Sequence, residues 1–134
     1  MTYTVHDVGA FYAAVVTRLT AQTGKNIGRG EAPSDKTTPY AVVYGLDDSS
    51  AGTSLGDPEE TTVNMFQVTS VGKTAEQAEW MAVKARTALL GWEPSVSGRV
   101  FGRVAKVGGR PAARDDSTQP PLFYAIDDYD VFTS

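Results

Sequence analysis

Few residues in this chain have the chemistry of a catalyst. The sequence contains one histidine, His6, and no cysteine. A nucleophilic triad needs a general base beside its serine or cysteine. His6 stands at the start of a predicted helix, where a single histidine usually caps the helix or faces solvent. We therefore expect no nucleophilic catalysis, and the lack of cysteine also excludes disulfides and thiolate metal sites.

Three aspartates are the nearest approach to a metal site. Asp127, Asp128 and Asp130 lie in a predicted strand, and successive side chains of a strand point to opposite faces. Asp128 and Asp130 would share one face, where their carboxylates could hold a divalent cation weakly, and Asp127 would lie on the other. A solvated or partner-facing strand edge explains the same pattern. We favour that interpretation and expect no metal and no cofactor.

Two further motifs are weak signals. The run GKNIGRG at residues 24–30 resembles a phosphate cradle only in its glycines. It lacks the GKS or GKT ending and follows a predicted helix, whereas a P-loop follows a strand. Asp57, Glu59 and Glu60 supply paired carboxylates, but nothing in their polar segment would raise the pKa of one above another. These residues predict a protein that is not an enzyme.

The composition is that of one ordinary domain over residues 1–134. Hydrophobic residues make up 41% and charged residues 21%, and a chain of this length buries roughly two-thirds of the surface its unfolded form exposes. No segment approaches the roughly 20 apolar residues of a membrane helix, and the first residues lack the basic region of a secretion signal. We expect a soluble domain made in the cytoplasm, with no membrane partner. The net charge of −4 argues against a dedicated nucleic-acid binder.

Apolar residues at helical spacing predict two helices. The first covers about residues 4–22, and its apolar stripe consists of Val8, Phe11, Tyr12, Val15 and Leu19. The second begins after Thr74, which lies three residues before Gln77, the spacing of a capping box, and Gly91 ends it. Its core-facing stripe consists of Ala78, Met81, Ala82, Ala85 and Leu89.

Four strands complete the predicted fold. Residues 40–46 form a nearly all-apolar run, and residues 63–71 alternate with the period of two that is typical of a strand. A third strand is expected over residues 99–107 and a last one over residues 122–132. The order α-β-β-α-β-β predicts an α+β domain, with a four-stranded, mainly antiparallel sheet packed with two helices.

Each pair of strands is joined by an unusually long polar loop. The two loops cover residues 47–60 and 108–121, whereas hairpin loops are typically about 2–5 residues long. Long loops cost little stability, but they are rarely this long without a role. We therefore expect a protein that works through contacts with partners.

Two segments of the chain each carry charges of one sign. Residues 47–60 contain only acids among their charged residues: Asp47, Asp48, Asp57, Glu59 and Glu60. Residues 99–114 contain only bases: Arg99, Arg103, Lys106, Arg110 and Arg114. Three interpretations remain open. The segments are unrelated solvated loops, or they pair between copies of the chain in a head-to-tail ring, or the basic segment follows a nucleic-acid backbone. Nucleic-acid binding is the weakest of the three, because Phe101 is the one aromatic residue interleaved with the bases of this segment.

Several segments resemble a known family. PYAVVYGL (residues 39–46), FQVTSVGKTAEQAEWMAVKARTALLG (residues 66–91) and PPLFYAIDDYDVF (residues 120–132), together with the first helix, are similar to the tail terminator proteins of long-tailed bacteriophages. The likeness is closest to those of phages of actinobacteria. It covers nearly the whole chain in element order, and its motifs are packing patterns without an invariant active residue.

The resemblance implies an α+β fold and a structural role. Such proteins form a hexameric ring on the head-proximal end of the tail tube, stop polymerisation of the tube protein and present a surface to the head-completion protein. DNA passes through the ring without specific binding. The protein would be part of the virion tail and would be assembled in the host bacterial cytoplasm. The expected contact residues are Asp47, Asp48, Asp57, Glu59, Glu60, Arg99, Arg103, Arg110, Arg114, Asp115 and Asp116.

Two other classes of protein remain as alternatives. Another head–tail connector or head-completion subunit would share ring assembly but meet different partners. A small α+β enzyme or ligand-binding domain would need a deep pocket with perturbed titratable groups. The sequence offers no convergent set of histidine, cysteine or carboxylate side chains for the second class.

Overall fold

A computed structural model describes residues 8–46, 49–50, 62–96 and 98–133. It contains two helices, α1 (Val8–Thr23) and α2 (Ala75–Leu89). Its strands, in chain order, are β1 (Ile27–Arg29), β2 (Tyr40–Gly45), β3 (Ser49–Ser50), β4 (Thr62–Gly72), β5 (Ala105–Asp115) and β6 (Leu122–Thr133). The predicted α+β class is confirmed.

The strands form one mixed sheet. Their order is β1-β2-β4-β6-β5, and β3 pairs with β4 beside this path. β1 runs parallel to β2, and every other neighbouring pair is antiparallel. The prediction of four strands was therefore wrong in number. It left out β1 and β3, which are too short, at three and two residues, to show a periodic pattern.

The start and the end of α2 agree with the sequence. Thr74 Oγ1 accepts a hydrogen bond from the backbone N–H of Gln77 (3.1 Å), and Gln77 Oε1 accepts one from the N–H of Lys73 (2.7 Å). These side chains satisfy backbone donors left open at the helix start. Gly91 has a φ of 77°, a left-handed conformation that glycine adopts without a steric penalty. The predicted stripe is buried, together with Ala88.

Both helices cover the same face of the sheet and build the main core there. Phe66 of β4 contacts Phe11 of α1 edge-on, with 5.6 Å between ring centroids, and stacks on Tyr129 of β6 at 5.3 Å. All three side chains are fully buried. The predicted stripe of α1 joins this core through Phe11, Tyr12, Val15 and Leu19. The aromatic rings thus tie the two central strands to the helix layer.

The opposite face of the sheet, called the open face below, carries a second apolar cluster. Tyr40, Val42 and Val71 are buried there, and Tyr44 and Tyr124 pack against them partly buried. No residue of either helix belongs to this cluster in the described part of the chain. The sheet therefore has an aromatic surface that the helices leave uncovered.

The predicted strand over residues 99–107 and the predicted loop over residues 108–121 were both wrong. The strand is β5, which begins later, and residues 116–121 alone connect it to β6. β5 is the last strand of the sheet, and its residues are exposed or partly buried throughout. Because neither face of β5 is buried, its sequence does not need to alternate between apolar and polar residues. Its glycines and Pro111 suit an edge strand with register shifts, but in the sequence they resemble a loop.

The segment before β5 crosses the end of the sheet. It makes two isolated bridges, Val96↔Arg99 and Phe101↔Thr133. Val100 is 71% exposed, whereas Phe101 and Val104 are buried in the main core. A strand over residues 99–107 would place Val100 and Val104 on one face, but one is exposed and the other buried, because this irregular segment has no period of two.

Candidate assembly surfaces

The hairpin formed by β5 and β6 contains most of the predicted contact residues that the structure describes. One side of β5 pairs with β6, and no described strand pairs with its other side. Its backbone donors and acceptors on that side are therefore open to solvent or to a partner. A proline and several cations along such an edge are features that discourage pairing with an identical strand.

A buried carboxylate joins the hairpin to α2. Asp127 Oδ2 accepts a hydrogen bond from Arg86 Nε at 2.9 Å, and Lys106 Nζ lies 3.8 Å from Asp127 Oδ1. The Asp127 side chain is only 5% exposed, so its charge needs these partners. The hydrogen bond to Asp127 raises the pKa of Arg86. This arrangement fixes β5, β6 and α2 relative to one another.

The three aspartates considered as metal ligands do not lie on one face of the sheet. Asp127 faces the helices and Asp128 faces the open side, as strand alternation predicts. Gln67 of β4 pairs with Asp128, and Met65 pairs with Asp130. Among the described residues, no group of three or more histidine, cysteine or acidic side chains could hold a metal ion.

Two of the predicted contact arginines lie before the hairpin. Arg99 Nη2 donates to Asn64 Oδ1 at 3.2 Å, and its guanidinium lies 4.7 Å from the centroid of the Phe101 ring. Arg99 is partly buried, so its side chain serves packing. Arg103 is exposed and pairs with Glu93, with 3.5 Å between Nε and Oε1. Both arginines therefore make contacts within the chain, and they do not form one basic surface with the cations of the hairpin, as the sequence suggested.

The remaining predicted residues cluster around the tip of the hairpin. Arg114 pairs with Asp116 through its Nε. Asp115 accepts a hydrogen bond from the backbone N–H of Ser117 at 2.9 Å, and hydrogen bonds from Ser117 lower the pKa of Asp115. Arg110 is exposed and has no ion pair with any described residue. Arg110 is thus the cation of β5 whose charge is open to a partner.

The acidic half of the predicted charge pattern lies outside the described residues. It consists of Asp47, Asp48, Asp57, Glu59 and Glu60. Pairing between the acidic and basic segments therefore stays a prediction.

A shallow notch lies beside Arg110 on the open face. Its volume is about 300 Å³, and a carboxylate and two guanidinium groups belong to its lining, which consists of Arg110, Pro111, Ala113, Arg114, Asp115, Tyr124 and Ile126. In the ladder, Arg110 pairs with Ile126 and Ala113 with Tyr124. The notch therefore places a cation next to an aliphatic and an aromatic side chain. Sequence reasoning predicted the strand that contains Tyr124 and Ile126 but missed their place in the notch, because it assigned Arg110 and Ala113 to a loop rather than to β5.

A second exposed surface lies on the outer side of α2. Trp80 is 43% exposed, and the ammonium groups of Lys25 and Lys84 lie 5.6 and 5.4 Å from the centroid of its ring. Val83, one turn further along the helix, is also exposed. Trp80 and Val83 fall outside the apolar stripe of α2. Large apolar residues on the solvent side of a predicted helix are a signal that could have identified this surface from the sequence.

The glycine-rich run at residues 24–30 contributes to a hollow rather than to a phosphate cradle. The hollow has a volume of about 220 Å³ and is lined in part by Lys25, Asn26 and Asp35. Asp35 Oδ1 accepts hydrogen bonds from the backbone and side chain of Thr37, and these lower its pKa. An ionised carboxylate at this place opposes the binding of a phosphate.

The hydroxyl of Tyr129 offers a test of the core behind these surfaces. It is buried without a hydrogen-bond partner among the described residues, and burial raises the pKa of Tyr129. Tyr129→Phe should therefore raise the free energy of unfolding by about 1 kcal/mol, because a buried polar group without a partner is costly. The Tyr12 hydroxyl lies 3.4 and 3.3 Å from the carbonyl oxygens of Leu46 and Met65.

The matched variant Tyr12→Phe should lower the free energy of unfolding by about 1 kcal/mol, since it removes a hydrogen bond. Urea denaturation of both variants measures the two changes. Equal effects of the same sign would contradict this assignment of the two hydroxyls.

None of the helices in the described part of the chain has the length and apolar character of a membrane span.

Comparison with known proteins finds solved chains with a similar fold. No family model matches the chain, and no curated protein matches it. A chain from the virion of a native gene transfer agent particle is similar over 98% of this chain and 100% of its own length, with a TM-score of 0.70 and 18% identity. A second solved chain is similar over 92% of both chains, with a TM-score of 0.55 and 14% identity. At these identities the likeness shows a shared fold.

Proposed function

We propose that this chain is a structural protein of a phage-like virion, and that it acts as the tail terminator. The observation that carries the first part is the end-to-end likeness of the fold to a chain of a gene transfer agent virion. The terminator role comes from the family resemblance of the strand and helix segments.

The physical features of the molecule suit a subunit that works by contact. The helix layer and the buried Asp127 hold β5, β6 and α2 together. Polar and aromatic side chains of β5 and Trp80, and the partly buried Tyr44 and Tyr124 of the open face, are accessible to a partner. Such a subunit needs one surface for its neighbours in a ring, one for the tube and one for the head-completion protein. The proposed role requires no catalysis and no cofactor.

The decisive experiment uses the tail tube protein of the same virion. Added during polymerisation, this chain should bind the tube ends and stop growth, so that electron microscopy shows short tubes with a ring at one end. Virions made without the chain should carry tails of uncontrolled length. A chain denatured by heat and added at the same concentration is the control.

Tube lengths unchanged in both assays would overturn the terminator role. The same chain should also be incubated with heads that lack tails. Binding to heads with no effect on tubes would contradict termination and place the protein in another head–tail joint.

A further inference from the structure

The outer side of α2 carries a second apolar stripe. Trp80, Val83 and Leu90 have the spacing of residues that share one side of a helix, and their exposed fractions are 43%, 52% and 47%. The buried stripe, which runs from Ala78 to Leu89, lies on the opposite side. α2 therefore has one apolar side that packs on its own sheet and another that stays exposed.

The open face of the sheet is also left without a covering layer. No helix residue in the described part of the chain belongs to its apolar cluster. On β6, Ile126 is partly buried and Phe132 is 52% exposed, and both lie on the same face as Tyr124. Apolar sheet faces are usually buried against a second layer. The exposed stripe of α2 in one copy could supply that layer to the sheet of another.

Charged side chains surround the exposed stripe of α2. The ammonium groups of Lys25 and Lys84 lie 5.6 and 5.4 Å from the centroid of the Trp80 ring. Glu76 lies one turn before Trp80, and Glu79 lies at the edge of the stripe away from Lys84. None of these four charged groups has an ion pair with a described residue. Along the helix, a carboxylate is thus followed by two ammonium groups.

The notch at one end of the open face has a net positive charge. Its charged lining consists of Arg110, Arg114 and Asp115. Arg114 pairs with Asp116, and Asp115 accepts a hydrogen bond from the backbone N–H of Ser117. Arg110 has no ion pair with a described residue, so a carboxylate brought to it would gain a charge-assisted hydrogen bond.

Beyond the notch, the open face of β6 is acidic. Arg110 is level with Ile126, and Asp128 and Asp130 follow on the same face. Neither carboxylate has an ion pair with a described residue, and Asp128 Oδ1 is buried without a hydrogen-bond partner there. Along β6, a cation is thus followed by two carboxylates, the reverse of the charge order along α2.

We propose that the exposed stripe of α2 packs on the open face of a second copy of this chain, with α2 running parallel to β6. Glu76 and Lys84 are eight residues apart, about 12 Å along a helix. Ile126, which is level with Arg110, and Asp130 are four residues apart, about 13 Å along a strand. Glu76 can therefore meet Arg110 while Lys84 meets Asp130.

The same alignment brings the two exposed apolar ends together. Leu90 is 14 residues after Glu76, about 21 Å along a helix. Phe132 is six residues after Ile126, about 20 Å along a strand. Both side chains are about half exposed in the single chain, and contact between them removes apolar surface from water.

Trp80 falls opposite the unpaired Asp128 in this alignment. Trp80 is four residues after Glu76, about 6 Å along the helix, and Asp128 is two residues after Ile126, about 7 Å along the strand. The ammonium group of Lys25 beside the Trp80 ring is thereby brought near the Asp128 carboxylate. Charge and apolar surface therefore agree in one alignment of the helix on the strand.

The contact requires two copies. Within one copy α2 lies on the other face of the sheet and cannot reach its own open face. A contact between two different surfaces is head-to-tail and closes into a ring when the rotation between subunits allows. The inference gives the proposed ring its subunit contact, and in that sense it rests on the proposed function. Its test, however, uses this chain alone and needs no tube.

Because the chain has no cysteine, single introduced cysteines can report the contact. One population carries Leu90→Cys and the other Phe132→Cys, and a tag on one makes the mixed dimer distinguishable by mass. Treated with a short bis-maleimide, the mixture should form the mixed dimer at least about tenfold faster than a control mixture. The control replaces Phe132→Cys by Ala21→Cys, which is exposed on α1 on the other side of the sheet.

Charge reversal tests the alignment. Lys84→Glu in the Leu90→Cys population should slow cross-linking about fivefold, and Asp130→Lys in the Phe132→Cys population should do the same. Combining the two reversed populations should restore the rate, because the charges are opposite again. Lys36→Glu, an equal change of charge at an exposed lysine, should leave the rate unchanged.

A second exchange at the other end of the alignment makes the test independent of any one variant. Glu76→Arg in the Leu90→Cys population and Arg110→Glu in the Phe132→Cys population should each slow cross-linking about fivefold. Their combination should restore the rate for the same reason as the first exchange.

Mixed cross-linking no faster than in the control would overturn the proposal. Cross-linking as fast within either population alone would also overturn it, because like surfaces would then be meeting. Reversed populations that fail to restore the rate would contradict the alignment. A chain that caps tubes without this cross-link would disprove the contact and leave the terminator role standing. A chain that cross-links as expected but never caps tubes would disprove the terminator role and leave the contact standing.

Discussion

Replacing Phe66 by alanine should lower the free energy of unfolding by about 3–5 kcal/mol, the usual range for a large aromatic side chain in a core. Phe66 is fully buried and contacts both Phe11 of α1 and Tyr129 of β6. Its removal leaves a cavity between a helix and the central strands. Because small domains have total stabilities of only about 5–15 kcal/mol, a large part of the population could unfold at physiological temperature.

Chemical denaturation followed by circular dichroism measures this loss. The control is Phe132→Ala, which removes the same side chain from a position in β6 that is 52% exposed, so its cost should stay below about 1 kcal/mol. Similar losses for the two variants would show that Phe66 is not at the centre of the core.

Gly109→Ala should be the second most damaging change, with a cost of about 1–3 kcal/mol. A Cβ at Gly109 would lie 2.6 Å from the carbonyl oxygen of Ile126 and 2.8 Å from Asp127 Oδ1. The first of these atoms belongs to the backbone and cannot move without shifting β6. The second is held by Arg86 and Lys106. The substitution should therefore push β5 away from β6 and disturb the carboxylate that anchors the hairpin.

The neighbouring glycine provides a matched control. A Cβ at Gly108 would lie 3.6 Å from Asp128 Oδ2, an ordinary contact distance, so Gly108→Ala should change stability by less than about 0.5 kcal/mol. Hydrogen exchange should show faster exchange of the β5 and β6 amides in Gly109→Ala and not in Gly108→Ala. Equal protection in both variants would contradict the close approach of the two strands.

The parts of the fold that sequence reasoning predicted correctly are those whose side chains are sorted by burial. α2 has a buried stripe, and β4 alternates between the helix layer and the open face, so their patterns survive in the sequence. β5 gives no such pattern because none of its residues is deeply buried. β1 was missed because three residues are too few for any period.

The candidate contact residues were only partly predictable for a related reason. Arg99, Arg103 and Arg110 look alike in the sequence, and their surroundings alone distinguish them. Arg99 contacts Asn64 and Phe101, Arg103 pairs with Glu93, and Arg110 stays exposed without an ion pair among the described residues. These partners come from distant parts of the chain, so charge patterning could name the basic segment but not the arginine available for binding.

The central position of β6 has a consequence for how the protein matures. β6 pairs with β4 on one side and β5 on the other, and it carries both Tyr129 of the main core and the Tyr124 and Ile126 walls of the notch. The pairing of β4 with β6, which α2 and β5 separate in the sequence, forms slowly, since closing the long intervening chain costs entropy before the contacts form. A copy that has not completed its core cannot display a finished notch. Folding would thus act as a checkpoint that withholds immature copies from the assembly proposed above.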